Sequence, residues 1–461
     1  MNIHTLETIS PTDGRYADKT KDLRYIFSEF GLIKYRVFIE IRWLQFLSNA
    51  STFDEISDFN ADTTKELNRL IDNFTLEDAE TIKNIEKEIN HDVKAVEYFI
   101  ARNTKIEPNV ANFIHFGCTS EDINNLAYAL MLRDAKNTII LPLMSKFEEC
   151  LASMVQKYAK QPMLSRTHGQ IASPTTLGKE LSNFLTRLRK ARNELSEVII
   201  LGKFNGAVGN FNAHIVAYPD CDWIKLSTEF IESLNIKPNI NTTQIEPHDW
   251  MASYAHALHR YNTILINFCR DIWGYISLDY FKQRVVKEET GSSTMPHKIN
   301  PIDFENGEGN LGLSNALLNH FAIKLPISRW QRDLTDSTVQ RNLGVALGYF
   351  VIALKSILKG VEKLEVNYNR LNEEIDQSWE VLGEAIQTVM RRYGIPEPYE
   401  KLKALTRDKE VTQDLLKEFI TSLDIPKEAK NRLLKLTPKS YIGLAEKLAK
   451  KNALMYSAIT I

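Results

Sequence analysis

Between residue 111 and about residue 365 apolar positions recur at helical spacing over stretches far longer than those of an ordinary globular core, with few breaks. Read with its cap and breaker residues, the pattern predicts five long helices. The first runs from the hydroxyls of Thr119 and Ser120, with Glu121 and Asp122 in its first turn, to about residue 160, and Pro142 is expected to kink it. The others fall at about 175–200, 247–281, 301–324 and 337–364. At 1.5 Å per residue such elements reach around 40–55 Å. In ILINFCRDIWGYISLDYF (264–281) and LGVALGYFVIAL (343–354) apolar residues cover much of the circumference, so each helix needs partners on more than one face. Five helices from one chain do not supply them. The pattern therefore predicts packing against other copies of the chain, the alternative being that the terminal segments cover these faces.

Residues 1–111 alternate shorter helical patterns with polar breaks and begin with an irregular arm, SPTDGRYADK. Residues 365–461 are more charged, with short amphipathic runs broken by PEP at 396–398, Pro426 and Pro438. The expected fold is all-α, with helical domains at 1–111, 112–364 and 365–461, the central one a bundle of five long helices. Composition agrees. Nineteen glycines and 15 prolines in 461 residues are about 7% of the chain, against roughly 12% in average proteins, so turns are scarce.

Charge adds exclusions. The 57 basic and 59 acidic residues nearly balance and form no long block, which argues against nucleic-acid or membrane-surface binding. Cys118, Cys150, Cys221 and Cys269 are scattered without a C-x-x-C pair, so neither a zinc site nor a disulfide framework is indicated and a reducing cytoplasm fits. The N-terminus has no apolar signal core, and the apolar run at 343–354 is shorter than a membrane span requires. The expectation is a soluble, cytoplasmic protein.

Four stretches interrupt the helical pattern with dense polar residues: FIHFGCTSED, MLSRTHGQIASP, TTQIEPHD and the loop at 288–310, EETGSSTMPHKINPIDFENGEGN. The last combines Gly291, two serines, Lys298 and Asn300, groups suited to a substrate carrying carboxylates, and reads as a mobile site loop. An ordinary polar surface loop has a similar composition. In NHDVKAVEYFI, Asn90, His91 and Asp92 stand at a helix N-terminus, making His91 either a cap neighbour or a substrate contact. Arg15 and Tyr16, behind the turn Asp13-Gly14, are by themselves ordinary arm residues. A lone His168 in a polar loop is more often solvated than catalytic. NGAVGN lacks the G-x-G-x-x-G spacing and no strand is expected before it, which disfavours nicotinamide chemistry.

The spacing Gly291, Ser292, Met295, Lys298, Asn300 matches G-S-x-x-M-x-x-K-x-N and resembles the signature of the fumarase/aspartase/argininosuccinate lyase superfamily. Over nearly the whole chain, through SPTDGRY, NHDVKAVEYF, HFGCTSEDINNLAYAL, LSRTHGQIASPTTLGKE, TTQIEPHD and SRWQRDLTDSTVQRNLG, the sequence is similar to the adenylosuccinate lyase family in its longer bacterial form. The resemblance implies a homotetramer with sites shared between subunits, cleaving adenylosuccinate to AMP and fumarate, and SAICAR to AICAR and fumarate, without metal or cofactor. It implies His168 as the acid that protonates the departing nitrogen and Ser292 as the base. Thr119, Ser120, Gln244, Ser293, Lys298 and Asn300 resemble the groups that hold the succinyl carboxylates, with Asn90, His91, Asp92, Ile299 and Asn306 lining the site. Arg15, Tyr16, Arg332, Ser337 and Arg341 match the phosphate set, together with Thr338, Val339 and Gln340 between the last two. Ser337 is expected to cap the helix opened by Asp336-Ser337-Thr338. His115 matches a further site histidine of open role.

The residue types suit that chemistry. Removing a proton beside a carboxylate creates a dianionic aci-carboxylate, so donors and a cation must face the oxygens where charge develops. Lys298 and Asn300 supply them. A serine is a weak base until its alkoxide is stabilised, so a closing loop that brings Lys298 and backbone N–H groups to Ser292 is expected. Two other readings compete: a lyase acting on argininosuccinate or aspartate, which would lack the phosphate set, and a silent helical oligomer, against which the pair His168 and Ser292 counts.

Overall fold

The computed structural model describes residues 4–56, 59–284, 295, 298–406 and 411–457. The long helices expected from the apolar period are present: Ser120–Ala135 continued by Leu141–Lys157, then Leu177–Ser196, Asp249–Ser277, Ile302–Lys324 and Leu343–Glu362. Pro142 acts as expected in kind, but the response is local. It has no N–H to donate and its ring crowds the preceding turn. The chain accordingly widens into a π-helical stretch, Lys136–Ile140, in which the Leu141 N–H reaches back to the Lys136 carbonyl.

The chain divides into two compact units, Met1–Met144, Ala191–Thr263 and Gly309–Lys355 forming one and Ser145–Lys190, Ile264–Glu308 and Ser356–Ile461 the other. In the first, helix Glu29–Ser48 packs on helix Ser120–Ala135. Helix Glu29–Ser48 is buried on nearly every side, at Leu32, Ile33, Val37, Ile39, Ile41, Trp43, Leu44 and Leu47, and it takes Arg36 and Glu40 inside with it. The Trp43 ring meets Phe204 and Phe230 at 4.5 and 4.9 Å between centroids, and its N–H donates to the Phe116 carbonyl at 3.0 Å. Burying those apolar faces offsets the cost of enclosing two charges, which are then obliged to find partners.

The run at 343–354 corrects an expectation. Leu347 and Phe350 through Leu354 are at most 1% exposed, so the chain itself covers this circumference and the run gives no argument for a second copy. The span Thr335–Glu362 is also long and apolar enough, by length and composition, to cross a membrane, although the sequence pattern suggested a shorter run; most of it is buried inside the fold. A different element carries uncovered apolar surface: Leu313, Ile323 and Ile327, 52 to 61% exposed, lie on and just after helix Ile302–Lys324. A Cβ built on Gly309 or Gly312 of that helix would meet nothing within 4 Å.

In the second unit Phe147, Phe184 and Phe304 surround Phe268, with centroids 5.4 to 6.4 Å from it. The C-terminal helices gather Ile375, Leu382, Ile386, Met390, Leu416, Ile420 and Leu433 into a core that includes Leu164. Leu164 belongs to an antiparallel hairpin, Pro162–Thr167 with Gln170–Thr176, where the sequence pattern suggested only a polar loop. The ladder slips between Leu164 and Ser165, opposite Pro174, which has no N–H to offer it. Strand Phe281–Gln283 pairs antiparallel with Leu364–Val366. In the first unit the two-residue strand Leu201–Gly202 pairs with Lys237–Pro238, so a strand does precede NGAVGN after all.

Candidate functional site

In the first unit the candidate groups collect around the start of helix Ser120–Ala135. Thr119 takes the N-cap position, and its N–H donates to Asp122 Oδ2 at 2.8 Å. Asp122, fully buried, also accepts from the Asn205 N–H at 2.9 Å, the Gly206 N–H at 3.2 Å and Lys203 Nζ at 2.9 Å. Four donors on one carboxylate pin the NGAVGN segment to the helix start that presents Thr119 and Ser120. Gly117, at φ 72°, is held against His214: an added Cβ would come within 2.5 Å of that ring.

His91 is the N-cap of helix Asp92–Asn103, and its Nδ1 accepts from the Lys94 N–H at 3.1 Å. Asn90, at φ 54°, closes the preceding helix in the left-handed region that asparagine tolerates. Asp92 lies 2.7 Å from Arg36 Nη2 and 3.6 Å from Arg341 Nη2, while Arg341 Nη1 reaches Glu29 at 2.5 Å. Burial pushes the Asp92 carboxyl up, but Arg36, the Val93 N–H and Arg341 together hold it below its ordinary range.

Arg332 and Gln244 meet: Arg332 Nη1 donates to Gln244 Oε1 at 3.2 Å, and Gln244 Nε2 donates to the Ala207 carbonyl at 2.9 Å. On its other side Arg332 Nη2 lies 3.1 Å from Glu121 Oε2. Ser337 is not the cap of its helix. Helix Thr335–Gln340 begins under Asp333, which accepts from the Thr335 N–H at 2.8 Å because a carboxylate two residues ahead reaches that donor directly. Ser337 stands inside the first turn, its N–H bonded to Asp336 Oδ1 at 2.7 Å. Gln340 is buried beside His248, at 3.3 Å from its Nε2; Thr338 and Val339 accept through their carbonyls from Asn342. The Arg15 guanidinium lies 5.8 Å from the centre of the Tyr16 ring, and Tyr16 takes the N-cap position of helix Ala17–Phe27.

His115, at φ 61°, has Nδ1 2.7 Å from Glu40 Oε1 and Nε2 3.9 Å from Glu97. Burial lowers its pKa, but the charge and hydrogen bond of Glu40, then Glu97 and Asp122, more than reverse that and raise it to about 9. The ring is a cation at neutral pH.

In the second unit His168 and Gly169 are the two residues between paired Thr167 and Gln170, with φ 53° and 77°, the left-handed pair that a two-residue hairpin turn requires. His168 is exposed at the tip. The hairpin is held from the C-terminal segment on both strands: Arg166 pairs with Glu374, which also takes the Tyr280 hydroxyl, and Ser173 bonds Glu384. Lys298 and Ile299 are exposed, Asn300 and Asn306 half-buried, and the Ile299 carbonyl accepts from Gln283 at 3.1 Å. Ser292 and Ser293 lie outside the described residues.

Sequence reasoning gave no role to Arg36, Glu40, His248 or Asp336 and read Glu121 only as a first-turn acid. For Arg36 and Glu40 a signal existed: two opposite charges one helical turn apart, flanked by the apolar Val37, Ile39 and Ile41. Glu121, His248 and Asp336 offer ligand atoms all within 4.8 Å of one another and would suit a metal by residue type, although Arg332 already supplies a cation there.

Comparison with known proteins gives the relatives. Residues 14–314 match a lyase family model and residues 328–442 match the model of the adenylosuccinate lyase C-terminal region. The chain is 57% identical over 454 residues to an adenylosuccinate lyase of Haemophilus influenzae, covering 98% of this chain and all of the relative. It is 56% identical over 448 residues to one of Escherichia coli K12, covering 96% and 98%. The 3-carboxy-cis,cis-muconate lactonizing enzyme of Pseudomonas putida shares the fold, with a TM-score of 0.76 and 22% identity over 96% of this chain and 98% of that one.

Proposed function

We propose a distribution of roles over this chain, which belongs to the adenylosuccinate lyase family and is a carbon–nitrogen lyase. Its reaction is cleavage of adenylosuccinate to AMP and fumarate, with SAICAR to AICAR and fumarate as the second conversion, by acid–base β-elimination. His168 protonates the departing nitrogen, and Ser292 removes the proton beside the succinyl carboxylate. Lys298 and Asn300 face the aci-carboxylate oxygens as charge develops, while Thr119, Ser120 and Gln244 hold the carboxylates of the succinyl group. Arg332, Arg341 and Ser337, with Arg15 and Tyr16 from the N-terminal arm, take the nucleotide phosphate.

The observation that carries the reading is the hydrogen bond from Arg332 to Gln244 at 3.2 Å. It joins a group assigned to the phosphate with one assigned to the succinyl moiety, from segments 88 residues apart in the chain. A homotetramer with shared sites follows from the same reading, supported by the open face at Gly309, Gly312, Leu313 and Ile323. Four free thiols support a reducing compartment, the cytoplasm. Ultraviolet absorbance of the purified protein tests the substrate. A change is expected with adenylosuccinate and none with argininosuccinate or aspartate; turnover of either of the latter, without adenylosuccinate turnover, overturns it.

A further inference from the structure

We infer that Glu121 is a positioning residue for substrate binding: a buried ion pair to Arg332 aims that guanidinium at the nucleotide phosphate. The inference rests on the reading of Arg332 as a phosphate contact. Glu121 is 1% exposed, in the first turn of helix Ser120–Ala135, and its Oε2 lies 3.1 Å from Arg332 Nη2. A carboxylate enclosed this fully is costly unless a cation answers it, and removing either partner leaves the other charge stranded. The pair therefore survives as a unit. With Nη2 held by Glu121 and Nη1 by Gln244, the guanidinium plane is set by two contacts on separate segments of the chain.

The surroundings extend the same anchor. His248 Nε2 lies 3.4 Å from Asp336 Oδ2, and the His248 N–H donates to Glu246 Oε2 at 2.7 Å. Asp336 Oδ1 accepts from the Ser337 N–H at 2.7 Å. One buried cluster thus backs both arms of the phosphate set, Arg332 through Glu121 and Ser337 through Asp336. Glu121, His248 and Asp336 would also suit a divalent cation by residue type, but the Arg332 guanidinium occupies the electrostatic role such an ion would play.

The test uses the full-length protein and two probes, AMP and fumarate, as inhibitors of adenylosuccinate cleavage. Glu121→Gln is expected to weaken AMP inhibition by about tenfold or more, as loss of a charge-assisted partner does, with the loss falling on KM more than on kcat and fumarate inhibition little changed. Glu121→Asp, which keeps the charge, is expected to restore part of the AMP affinity and guards against a Gln variant that fails to fold. If Glu121 acts through Arg332, the double variant Glu121→Gln with Arg332→Ala binds AMP no worse than Arg332→Ala alone. Additive losses would overturn the inference and mark a general structural role. Arg332→Ala weakening AMP while Glu121→Gln and Glu121→Asp do not would overturn it and leave the phosphate reading standing. If Arg332→Ala leaves AMP inhibition unaltered, the phosphate reading falls and takes this inference with it. Divalent-ion binding that Glu121→Gln abolishes, without change in AMP affinity, would replace the positioning role with a metal site.

Discussion

His115 Nδ1 lies 2.7 Å from Glu40 Oε1, a contact that joins the loop before helix Ser120–Ala135 to a buried carboxylate of helix Glu29–Ser48. Glu40, Glu97 and Asp122 outweigh burial and raise the imidazolium pKa to about 9, against an ordinary 6.5. A raised pKa stabilises the folded state most below the unfolded value, so this contribution is whole below pH 6.5 and is lost as pH rises through about 9. At full strength it amounts to about 3 kcal/mol, at 1.36 kcal/mol per pKa unit. Nuclear magnetic resonance titration of His115 is expected to show a midpoint far above that of a free imidazole and a downward shift in Glu40→Gln. A ring that titrates near 6.5 in the folded protein would remove the prediction.

Asp122 and Lys203 are both fully buried, 2.9 Å apart. Lys203→Met strands Asp122, and the expected cost is about 3–5 kcal/mol, the usual penalty for leaving one charge of a buried pair without its partner. Denaturant unfolding measures it. A midpoint equal to that of the unaltered protein would mean that the backbone N–H groups of Thr119, Asn205 and Gly206 suffice for the carboxylate.

Ser292→Ala and His168→Ala are each expected to lower kcat by roughly 100-fold or more while still binding adenylosuccinate, since each removes a group needed mainly in the transition state. Steady-state kinetics paired with equilibrium binding separates the two effects. A fully active Ser292→Ala enzyme would falsify the base assignment.

Refolding Ser292→Ala and His168→Ala chains together should restore activity that neither has alone. With random assortment and one acid-bearing and one base-bearing chain per site, about a quarter of sites receive both intact residues. Demonstrably mixed oligomers as inactive as their parents would place both groups on the same chain, or show one of them misassigned.

Arg166 on the hairpin pairs with Glu374 of the C-terminal segment, two residues before the exposed tip at His168. Glu374→Ala is expected to depress kcat by several-fold through a looser acid, with less effect on AMP inhibition, because a small misplacement of a proton donor is expensive. Equal losses in both measurements would point instead to a general disturbance of the fold.

Apolar spacing in the sequence determined the long helices, because a helix buries one or more faces every 3.6 residues and that demand is written locally. The signature residues Gly291, Ser292, Met295, Lys298 and Asn300 likewise determined the lyase superfamily from the sequence alone. Tertiary structure decided what local spacing does not encode. Glu121 looks in sequence like any acid in a first helical turn, and only folding sets it against Arg332. The run at 343–354 looks like an interface, yet the same chain covers it. His168 looks like a loop residue, but ladder pairing from Thr167 to Gln170 confines it to a two-residue turn. In each case the deciding partner lies beyond the window over which periodicity is read, and the burial of a charge or an apolar face is settled by whichever distant segment comes to cover it.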